Sequence, residues 1–253
     1  MIETTLLSKS YGEFSAVRDL SISIHQGEVY GFLGPNGAGK TTTIRMMMGI
    51  LIPTSGSARI LGFDCRADRV EVMRRVGYLP DNPVFYDFLR GREILEFVGE
   101  MHGLSRKEAR AKASALLESL GLDEATEEYA VNYSTGMKKK LALGCALIHD
   151  PSVLILDEPT NGLDPRASRD VRERILESAR KGKTIFLSTH LLDMAERMCS
   201  RIGIIDKGAL VAEGTPDEVK ARSAAGGTLE EVFLAVTHDD DGASGGAADG
   251  ATP

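Results

Sequence analysis

A glycine-rich stretch followed by a lysine and two threonines has the residue types and spacing needed to bind phosphate. Residues Gly34 to Thr42 read Gly-Pro-Asn-Gly-Ala-Gly-Lys-Thr-Thr and fit the pattern G-x-x-x-x-G-K-[ST]. The glycines allow successive backbone N–H groups to point at phosphate oxygens. Lys40 can reach the β- and γ-phosphates of a nucleotide, and the Thr41 hydroxyl can bind Mg²⁺. We call this stretch the phosphate loop and expect nucleotide contacts from all of its residues: Gly34, Pro35, Asn36, Gly37, Ala38, Gly39, Lys40, Thr41 and Thr42.

Two adjacent carboxylates follow a run of apolar residues. Val153 to Leu156 is continuously apolar, as is typical of a strand buried on both faces, and Asp157 and Glu158 come directly after it. Ligands of α/β proteins bind at the carboxyl ends of such strands. A strand that simply ends in polar residues is common in isolation, but the phosphate loop disfavours that interpretation here. We therefore predict that Asp157 holds Mg²⁺ and that Glu158 polarises water.

A histidine and a tyrosine are further candidates. His190 follows a second apolar run, Thr184 to Leu187, and is therefore predicted at the same edge of the sheet. A lone histidine is more often structural than catalytic, and this position is the argument for a functional role. Tyr11 precedes the phosphate loop, and its ring can stack on adenine. A turn tyrosine packed on its own sheet is an equally well supported interpretation.

The elements around these residues predict an α/β fold. The apolar run Val29 to Leu33 indicates a buried strand before the phosphate loop, and Thr42 to Gly49 indicates a helix whose N-terminus faces the phosphate. Residues 2–33 alternate strand-like runs with turns, which is typical of an antiparallel flap. From about residue 82 to 149 the pattern is helical, and a capping box begins at Ser105. Helical periodicity over Gly91 to Met101 predicts one apolar face, formed by Ile94, Leu95, Phe97, Val98 and Met101.

The predicted fold class is therefore α/β: a P-loop NTPase core with a mostly parallel sheet, an N-terminal antiparallel β subdomain and an inserted α-helical subdomain at about 82–149. A single domain is expected over residues 1–237. Residues 238–253 are mainly Gly, Ala and Asp and are expected to form a disordered acidic tail.

The charge distribution excludes some partners and leaves one lysine run without an assigned role. The net charge is −7, and four aspartates of the last sixteen residues contribute to it. Because the rest of the chain still carries −3, it has no basic footprint for nucleic acid. The longest apolar stretch, Leu141 to Ile148, is far shorter than the roughly 20 residues that a membrane span needs. Lys138 to Lys140 is interpreted as a solvated charge run.

Taken together and in this order, the motifs resemble the nucleotide-binding subunit of ABC transporters over residues 2 to about 237. The matching stretches are the phosphate loop as Walker A, Leu154–Glu158 as Walker B, Tyr133–Met137 as the ABC signature and Asn161–Asp164 as the D-loop. His190 is similar to the switch histidine, and Tyr11 to the adenine-stacking aromatic. Finer features are similar to exporters of the type-2 group: Tyr86–Phe88, Gly91–Glu93 and Glu230–Leu234.

The resemblance implies a mechanism and a set of partners. It implies that Lys40, Glu158 and His190 are catalytic, with Glu158 as the general base toward water and ATP and Mg²⁺ as cofactors. Ser134 and Gly136 are implied to contact ATP on a second subunit, either another copy or a homologous ATPase. A separate transmembrane permease is the implied partner, which would hold the protein on the cytoplasmic face of the membrane. Nucleic acid is not expected as a partner.

The sequence departs from the family pattern at three positions. Asp81 stands where glutamine is usual, and its carboxylate could contact Mg²⁺ or the attacking water. In the signature, Thr135 replaces a usual glycine and Met137 a usual glutamine. We therefore expect an intact site with altered timing.

Three functional classes remain to be compared. The leading one is the energy-coupling subunit of an exporter. A soluble ABC ATPase acting in DNA repair or on ribosomes is expected to have coiled-coil arms or two cassettes, and this sequence has neither. A regulatory module without hydrolysis is disfavoured by Glu158 and His190.

Three aromatic residues either dock on the permease or pack within the helical region, and the sequence leaves this open: Phe85, Tyr86 and Phe88.

Overall fold

Two β-sheets form the framework of the computed structural model, which describes residues 1–222 and 227–238. The strands are β1 (Ile2–Tyr11), β2 (Phe14–Leu20), β3 (Ser23–Ile24), β4 (Val29–Leu33), β5 (Ser55–Ile60), β6 (Phe63–Asp64), β7 (Val76–Leu79), β8 (Val153–Asp157), β9 (Thr184–Thr189), β10 (Arg201–Asp206) and β11 (Ala209–Gly214). The tail predicted at 238–253 lies outside the described residues, apart from the backbone of His238.

The two sheets differ in strand direction. In the first, β2, β1, β5 and β6 are neighbours in that order, β3 also pairs with β1, and all pairings are antiparallel. The second has the order β11-β10-β4-β9-β8-β7 and is parallel except for β11. The N-terminal antiparallel sheet and the mostly parallel core sheet are therefore both present as predicted.

In chain order, the helices lie between strands or follow β11. They are α1 (Lys40–Met47), α2 (Arg69–Met73), α3 (Gly91–Met101), α4 (Arg106–Ser119), α5 (Thr135–Leu147), α6 (Pro165–Arg180), α7 (Leu192–Met198), α8 (Pro216–Lys220) and α9 (Leu229–His238). Three of them, α3, α4 and α5, lie between the neighbouring parallel strands β7 and β8. No helix within residues 1–222 or 227–238 is both long enough and apolar enough to cross a membrane.

Alternating side chains of β4 join two buried clusters and so fix the strand that leads into the phosphate loop. Val29 and Leu33 belong to the cluster that includes the helical region, whereas Tyr30 and Phe32 belong to the cluster shared with the antiparallel sheet and α1. This alternation follows from the two-residue period of a strand. Phe186 of β9 packs beside both aromatic rings, with ring centroids 5.9 Å from Tyr30 and 5.3 Å from Phe32.

Side-chain caps set the starts of two helices in the helical region. The Ser105 hydroxyl accepts a hydrogen bond from the Glu108 backbone N–H, and the Glu108 carboxylate accepts one from the Ser105 backbone N–H, which is the predicted capping box. Ser134 accepts from the Met137 backbone N–H and caps α5. These caps satisfy N–H groups that have no partner within the helix.

The predicted apolar face of α3 is only partly buried. Ile94 and Leu95 belong to the core, but Phe97 and Met101 are largely exposed. Of the three aromatic residues with two open interpretations, Phe85 packs against the core, whereas Tyr86 and Phe88 are 71% and 88% exposed. Helical periodicity therefore identified the helix but overestimated the width of its buried face.

Candidate nucleotide-binding site

The phosphate loop connects β4 to α1 and folds tightly against the antiparallel sheet. Gly37 and Gly39 have φ of 84° and 109°, in the left-handed region that favours glycine. A Cβ at residue 39 would lie 2.5 Å from the carbonyl oxygen of Ala16, so the neighbouring strand leaves no room for a side chain. The sequence therefore needs glycine at this position for both conformation and space.

A cavity of about 320 Å³ lies over this loop and collects most of the predicted residues. Seven of the nine loop residues line it: Pro35, Asn36, Gly37, Gly39, Lys40, Thr41 and Thr42. Gly34 and Ala38 are buried and are not among its lining residues. The polar and aromatic part of the lining is completed by Tyr11, Phe14, Asp81, Glu158 and Asn161.

Tyr11 presents its ring at this cavity rather than burying it in its own sheet. The residue is 51% exposed and pairs with Phe14 across the hairpin between β1 and β2. Lys9 places its Nζ 5.1 Å from the centroid of the Tyr11 ring. Of the two interpretations left open by the sequence, the exposed ring at the cavity fits a stacking surface better than a packed turn residue.

Lys40 joins the phosphate loop to Glu158. Its Nζ donates hydrogen bonds to the carbonyl oxygens of Gly34 (2.6 Å) and Pro35 (3.2 Å) and lies 3.3 Å from Glu158 Oε1. Both charged side chains are buried, at 7% and 9% exposure. Glu158 Oε1 nevertheless accepts no hydrogen bond, so the Lys40 contact is ionic and this oxygen keeps its acceptor capacity.

Asp157 is held by one hydroxyl on each of its carboxylate oxygens. Thr41 Oγ1 donates to Oδ2 at 2.9 Å, and Ser188 Oγ donates to Oδ1 at 2.5 Å. Burial raises the pKa of Asp157 because desolvation penalises the charged form, and the two hydroxyl hydrogen bonds oppose that rise. Asp81 and Glu158 add like charge that raises the pKa further.

Glu158 and His190 lie against each other at the ends of β8 and β9. His190 Nδ1 is 3.0 Å from Glu158 Oε2, and the His190 backbone N–H donates to the same oxygen at 3.4 Å. Glu158 has φ of 46°, a left-handed conformation that costs a non-glycine residue about 1–2 kcal/mol. Its backbone N–H donates to the carbonyl oxygen of Ser188 at 3.1 Å, which fixes this turn.

The lysine run of α5 is not the solvated run that the sequence predicted. Lys139 is 2% exposed, and its Nζ donates to the Asp81 carbonyl oxygen at 2.6 Å and to Asp81 Oδ1 at 3.3 Å. It lies on a buried stripe with Leu143 and Ala146, at i, i+4 and i+7 of the helix. Burial lowers the pKa of Lys139, and Asp81 opposes that shift.

Ser134 and Gly136 do not face the phosphate loop of their own chain. They line a separate cavity of about 290 Å³, together with residues that include Leu122, Asp164 and Ala167. Ser134 is exposed and Gly136 is half-buried. The fold therefore brings Lys40, Thr41, Asp157, Glu158 and His190 together and leaves the start of α5 on a different surface.

Comparisons with known proteins match this geometry to one family. A profile of the ABC transporter family matches residues 17–161. The probable multidrug ABC transporter ATP-binding protein YbhF of Escherichia coli (strain K12) is 38% identical over 243 residues, covering 94% of this chain and 42% of that protein. The Nod factor export ATP-binding protein I of Paraburkholderia xenovorans (strain LB400) is 42% identical over 233 residues, covering 92% of this chain and 76% of that protein. The chain belongs to the ABC transporter family.

A solved structure described as the ATP-binding subunit of an ABC transporter supports the same assignment. It has a TM-score of 0.86 and 33% identity, covering 93% of this chain and 99% of that one. The predicted recognition and fold class are confirmed. Both of these relatives, YbhF and the Nod factor export protein, are named as ATP-binding proteins. The chain spans less than half the length of YbhF.

The sequence did not predict the contacts that three residues make in this site. Ser188 lies opposite Asp157 in the register of β8 and β9, a relationship that only pairing of the strands reveals. Asn161 was assigned to the D-loop, and its Nδ2 donates to Asp81 Oδ1 at 3.3 Å. Lys139 could have been found from its helical phase with Leu143 and Ala146.

Proposed function

We propose that this chain is the ATP-hydrolysing subunit of an exporter and works with a separate membrane permease and a second ATP-binding subunit. The observation that carries the proposal is that Lys40, Thr41 and Glu158 line one cavity. Lys40 contacts Glu158 there, and Asp157 is hydrogen-bonded to Thr41. Phosphoryl transfer needs mainly positioning and charge neutralisation from the protein. These four side chains can supply both.

ATP is proposed to bind over the phosphate loop. The backbone N–H groups of the loop and the N-terminus of α1 favour an anion. Lys40 is already directed at the loop through the Gly34 and Pro35 carbonyl oxygens, so its ammonium group needs little movement to reach a phosphate. Tyr11 offers an exposed ring at the same cavity for adenine.

Mg²⁺ is the proposed metal. Thr41 Oγ1 and Asp157 Oδ2 are hard oxygen donors 2.9 Å apart, and the ion prefers such ligands together with phosphate oxygens and water. The described residues contain no cluster of three or more His, Cys, Asp or Glu side chains that could hold a metal. A nucleotide-bound Mg²⁺ does not require one, since it usually takes one or two protein ligands. When bound, it would neutralise charge on the phosphate oxygens.

Glu158 is proposed to orient and deprotonate the attacking water. Its Oε1 is buried without a hydrogen-bond donor, and its Oε2 is held by His190, so one oxygen remains available as an acceptor at the cavity. A general base must lie within hydrogen-bonding reach of the proton that it takes. His190 fixes the carboxylate and is also proposed to contact the γ-phosphate.

A second subunit is proposed to complete the site. Ser134 and Gly136 open α5, where the helix dipole and unpaired N–H groups attract negative charge, yet they line a cavity away from this chain's own loop. In a head-to-tail pair, each α5 would meet ATP on the other subunit. ATP would then favour the paired state and hydrolysis would release it, through contacts that differ between the two states.

Export is proposed over import because the sequence resembles the type-2 exporter group and a relative is named as an export ATP-binding protein. The proposed location is the cytoplasmic face of the membrane, where the permease would hold the protein.

The test of the proposed function is affinity purification of the full chain from membranes in mild detergent, followed by assay of Mg²⁺-dependent phosphate release. Recovery of a polytopic membrane protein with active ATPase supports the proposal, whereas an active ATPase recovered only with ribosomal or DNA-repair proteins contradicts it.

A further inference from the structure

Lys139 is a buried cation that the mechanism above does not use, although its partner faces the nucleotide cavity. We infer that Lys139 is a positioning residue of the ATPase, acting through Asp81: it compensates the Asp81 charge beside the nucleotide and links the cavity to α5. This inference rests on the proposed function, because its consequences concern ATP bound over the phosphate loop.

The contacts between the two residues fix both the backbone and the side chain of Asp81. Lys139 Nζ donates to the carbonyl oxygen at 2.6 Å and to Oδ1 at 3.3 Å. Asn161 Nδ2 donates to the same Oδ1, and Asn82 Nδ2 donates to Oδ2 at 3.2 Å. The Asp81 side chain is 30% exposed, so it is accessible from the cavity that it lines while remaining tied to a fully buried lysine.

The charges at this position explain why the lysine is needed. Asp81 and Glu158 line the cavity, and Asp157 is hydrogen-bonded to Thr41 of the same lining. All three carboxylates interact electrostatically with Lys139. A triphosphate brings further negative charge. An uncompensated carboxylate at residue 81 would repel the phosphates, whereas a carboxylate paired with a buried ammonium group repels them much less. The aspartate that stands where the family usually has glutamine is therefore matched by a cation.

The pair also joins two parts of the proposed ATPase cycle. Asp81 follows β7 and lines the cavity of its own chain, whereas Lys139 lies in α5, about 7.5 Å along the helix axis from Ser134. Asn161, next to the Glu158 turn, contacts the same carboxylate oxygen. A movement of Asp81 in response to nucleotide would therefore be transmitted to the helix whose N-terminus is proposed to serve the other subunit.

A double-mutant cycle tests this inference on the full chain. The proteins are the wild type, Asp81→Gln, Lys139→Gln and the variant with both substitutions. Binding of mant-ATP and mant-ADP with Mg²⁺ is measured for each by fluorescence. We expect Lys139→Gln to reduce the preference for ATP over ADP by about 10-fold, because the freed carboxylate faces the additional phosphate. The double variant is expected to recover the preference to within about 3-fold of Asp81→Gln.

Lys183→Gln is the matched control. Lys183 is also a largely buried lysine that pairs with an aspartate, Asp150, but it precedes β9 at the opposite end of that strand from Ser188. This variant should leave the ATP preference unchanged. If Lys139→Gln does not fold, the cycle uses Lys139→Met, whose apolar chain fits the buried stripe with Leu143 and Ala146.

Two results would overturn the inference. One is an equal loss of ATP and ADP affinity in the Lys139 variant, which is the result expected of a merely structural residue. The other is a double variant as impaired as Lys139→Gln alone. If the wild-type protein binds and hydrolyses ATP but the effects of the two substitutions are additive, this inference is wrong and the proposed function is not affected. If the wild-type protein binds neither ATP nor ADP, the proposed function is wrong as well.

Discussion

The hydroxyl of Thr41 donates a 2.9 Å hydrogen bond to the carboxylate of Asp157, although 116 residues separate them in the sequence. The bond links the first turn of α1 to the end of β8. It brings together two oxygens that the sequence separately predicted as Mg²⁺ ligands. Ser188 holds the other carboxylate oxygen from β9, so the orientation of Asp157 depends on two neighbouring elements.

Replacement of Asp157 by asparagine should abolish most Mg²⁺-dependent ATPase activity, with a loss of at least about 100-fold. The amide removes the negative charge and can accept from only one of the two hydroxyls. Phosphate release across a range of Mg²⁺ concentrations measures the effect. Ser188→Ala keeps the carboxylate and should lose only about 10-fold in Mg²⁺ affinity or activity, as expected for a residue that orients a ligand. Equal losses in both variants would argue against a metal role for Asp157.

Replacement of Glu158 by glutamine should keep ATP binding and stop turnover. The amide fits the space between Lys40 and His190 but cannot take a proton from water. An ATP-bound dimer should therefore accumulate, and size-exclusion chromatography with light scattering would detect it. Unchanged phosphate release by this variant is the outcome that contradicts Glu158 as the base.

Substitutions at two glycines of the phosphate loop should lower the stability of the folded protein by different amounts. Gly37→Ala adds only backbone strain, about 1–2 kcal/mol, because no atom lies within 4 Å of the new Cβ. Gly39→Ala adds the same strain and a contact 2.5 Å from the Ala16 carbonyl oxygen, so it should be clearly less stable. Thermal unfolding of both variants without nucleotide provides the comparison. Equal unfolding temperatures would contradict the close approach of β2 to the loop.

Ser134→Asp separates helix capping from the proposed contact with a second subunit. Aspartate caps helices as well as serine, so the free energy of unfolding should change by less than about 0.5 kcal/mol. Its negative charge would face the phosphates of ATP on the other subunit, and ATPase activity should fall by about 10-fold or more. Normal activity together with normal stability would show that α5 does not serve the nucleotide.

A pair of stacked histidines should make stability depend on pH. The rings of His102 and His149 lie 3.7 Å apart between centroids, and the His149 Nε2 is 3.2 Å from the Val76 carbonyl oxygen. Burial and the charge of His102 lower the pKa of His149 to about 4. Between pH 6.5 and about 4 the unfolded chain therefore binds a proton that the folded protein does not.

Stability should consequently fall by about 1 kcal/mol as the pH drops through that window, after allowance for partial exposure of the ring. Urea unfolding of the wild type and of His149→Gln at several pH values measures the change. The variant should show a shallower fall. Parallel pH profiles for the two proteins would assign the effect to other groups.

Local sequence patterns accounted for much of the fold. The apolar run before Asp157 predicted β8, the capping box at Ser105 predicted the start of α4, and strand Val29–Leu33 was predicted with its observed bounds. Each of these signals depends on residues close together in the sequence. The five-residue helix α2 was not predicted, because it has too few turns to establish a period.

Such local patterns predicted less of the site where it depends on contacts between elements that are distant in the sequence. The hydrogen bond from Ser188 to Asp157 follows from the register of two strands, and the burial of Lys139 follows from the packing of α5 beside Asp81. Composition alone made Lys138 to Lys140 look alike, although Lys139 pairs with Asp81 and Lys140 with Asp170. Tertiary contacts, not residue type, distinguish them.

Asp157 and Glu158 are consecutive, yet they reach different partners because the chain turns at Glu158 with φ of 46°. One acid meets Thr41 and Ser188, and the next meets Lys40 and His190. An inserted or deleted residue anywhere in β8 would displace both acids at once. This strand end can therefore diverge in evolution by exchanging side chains but not by changing its length.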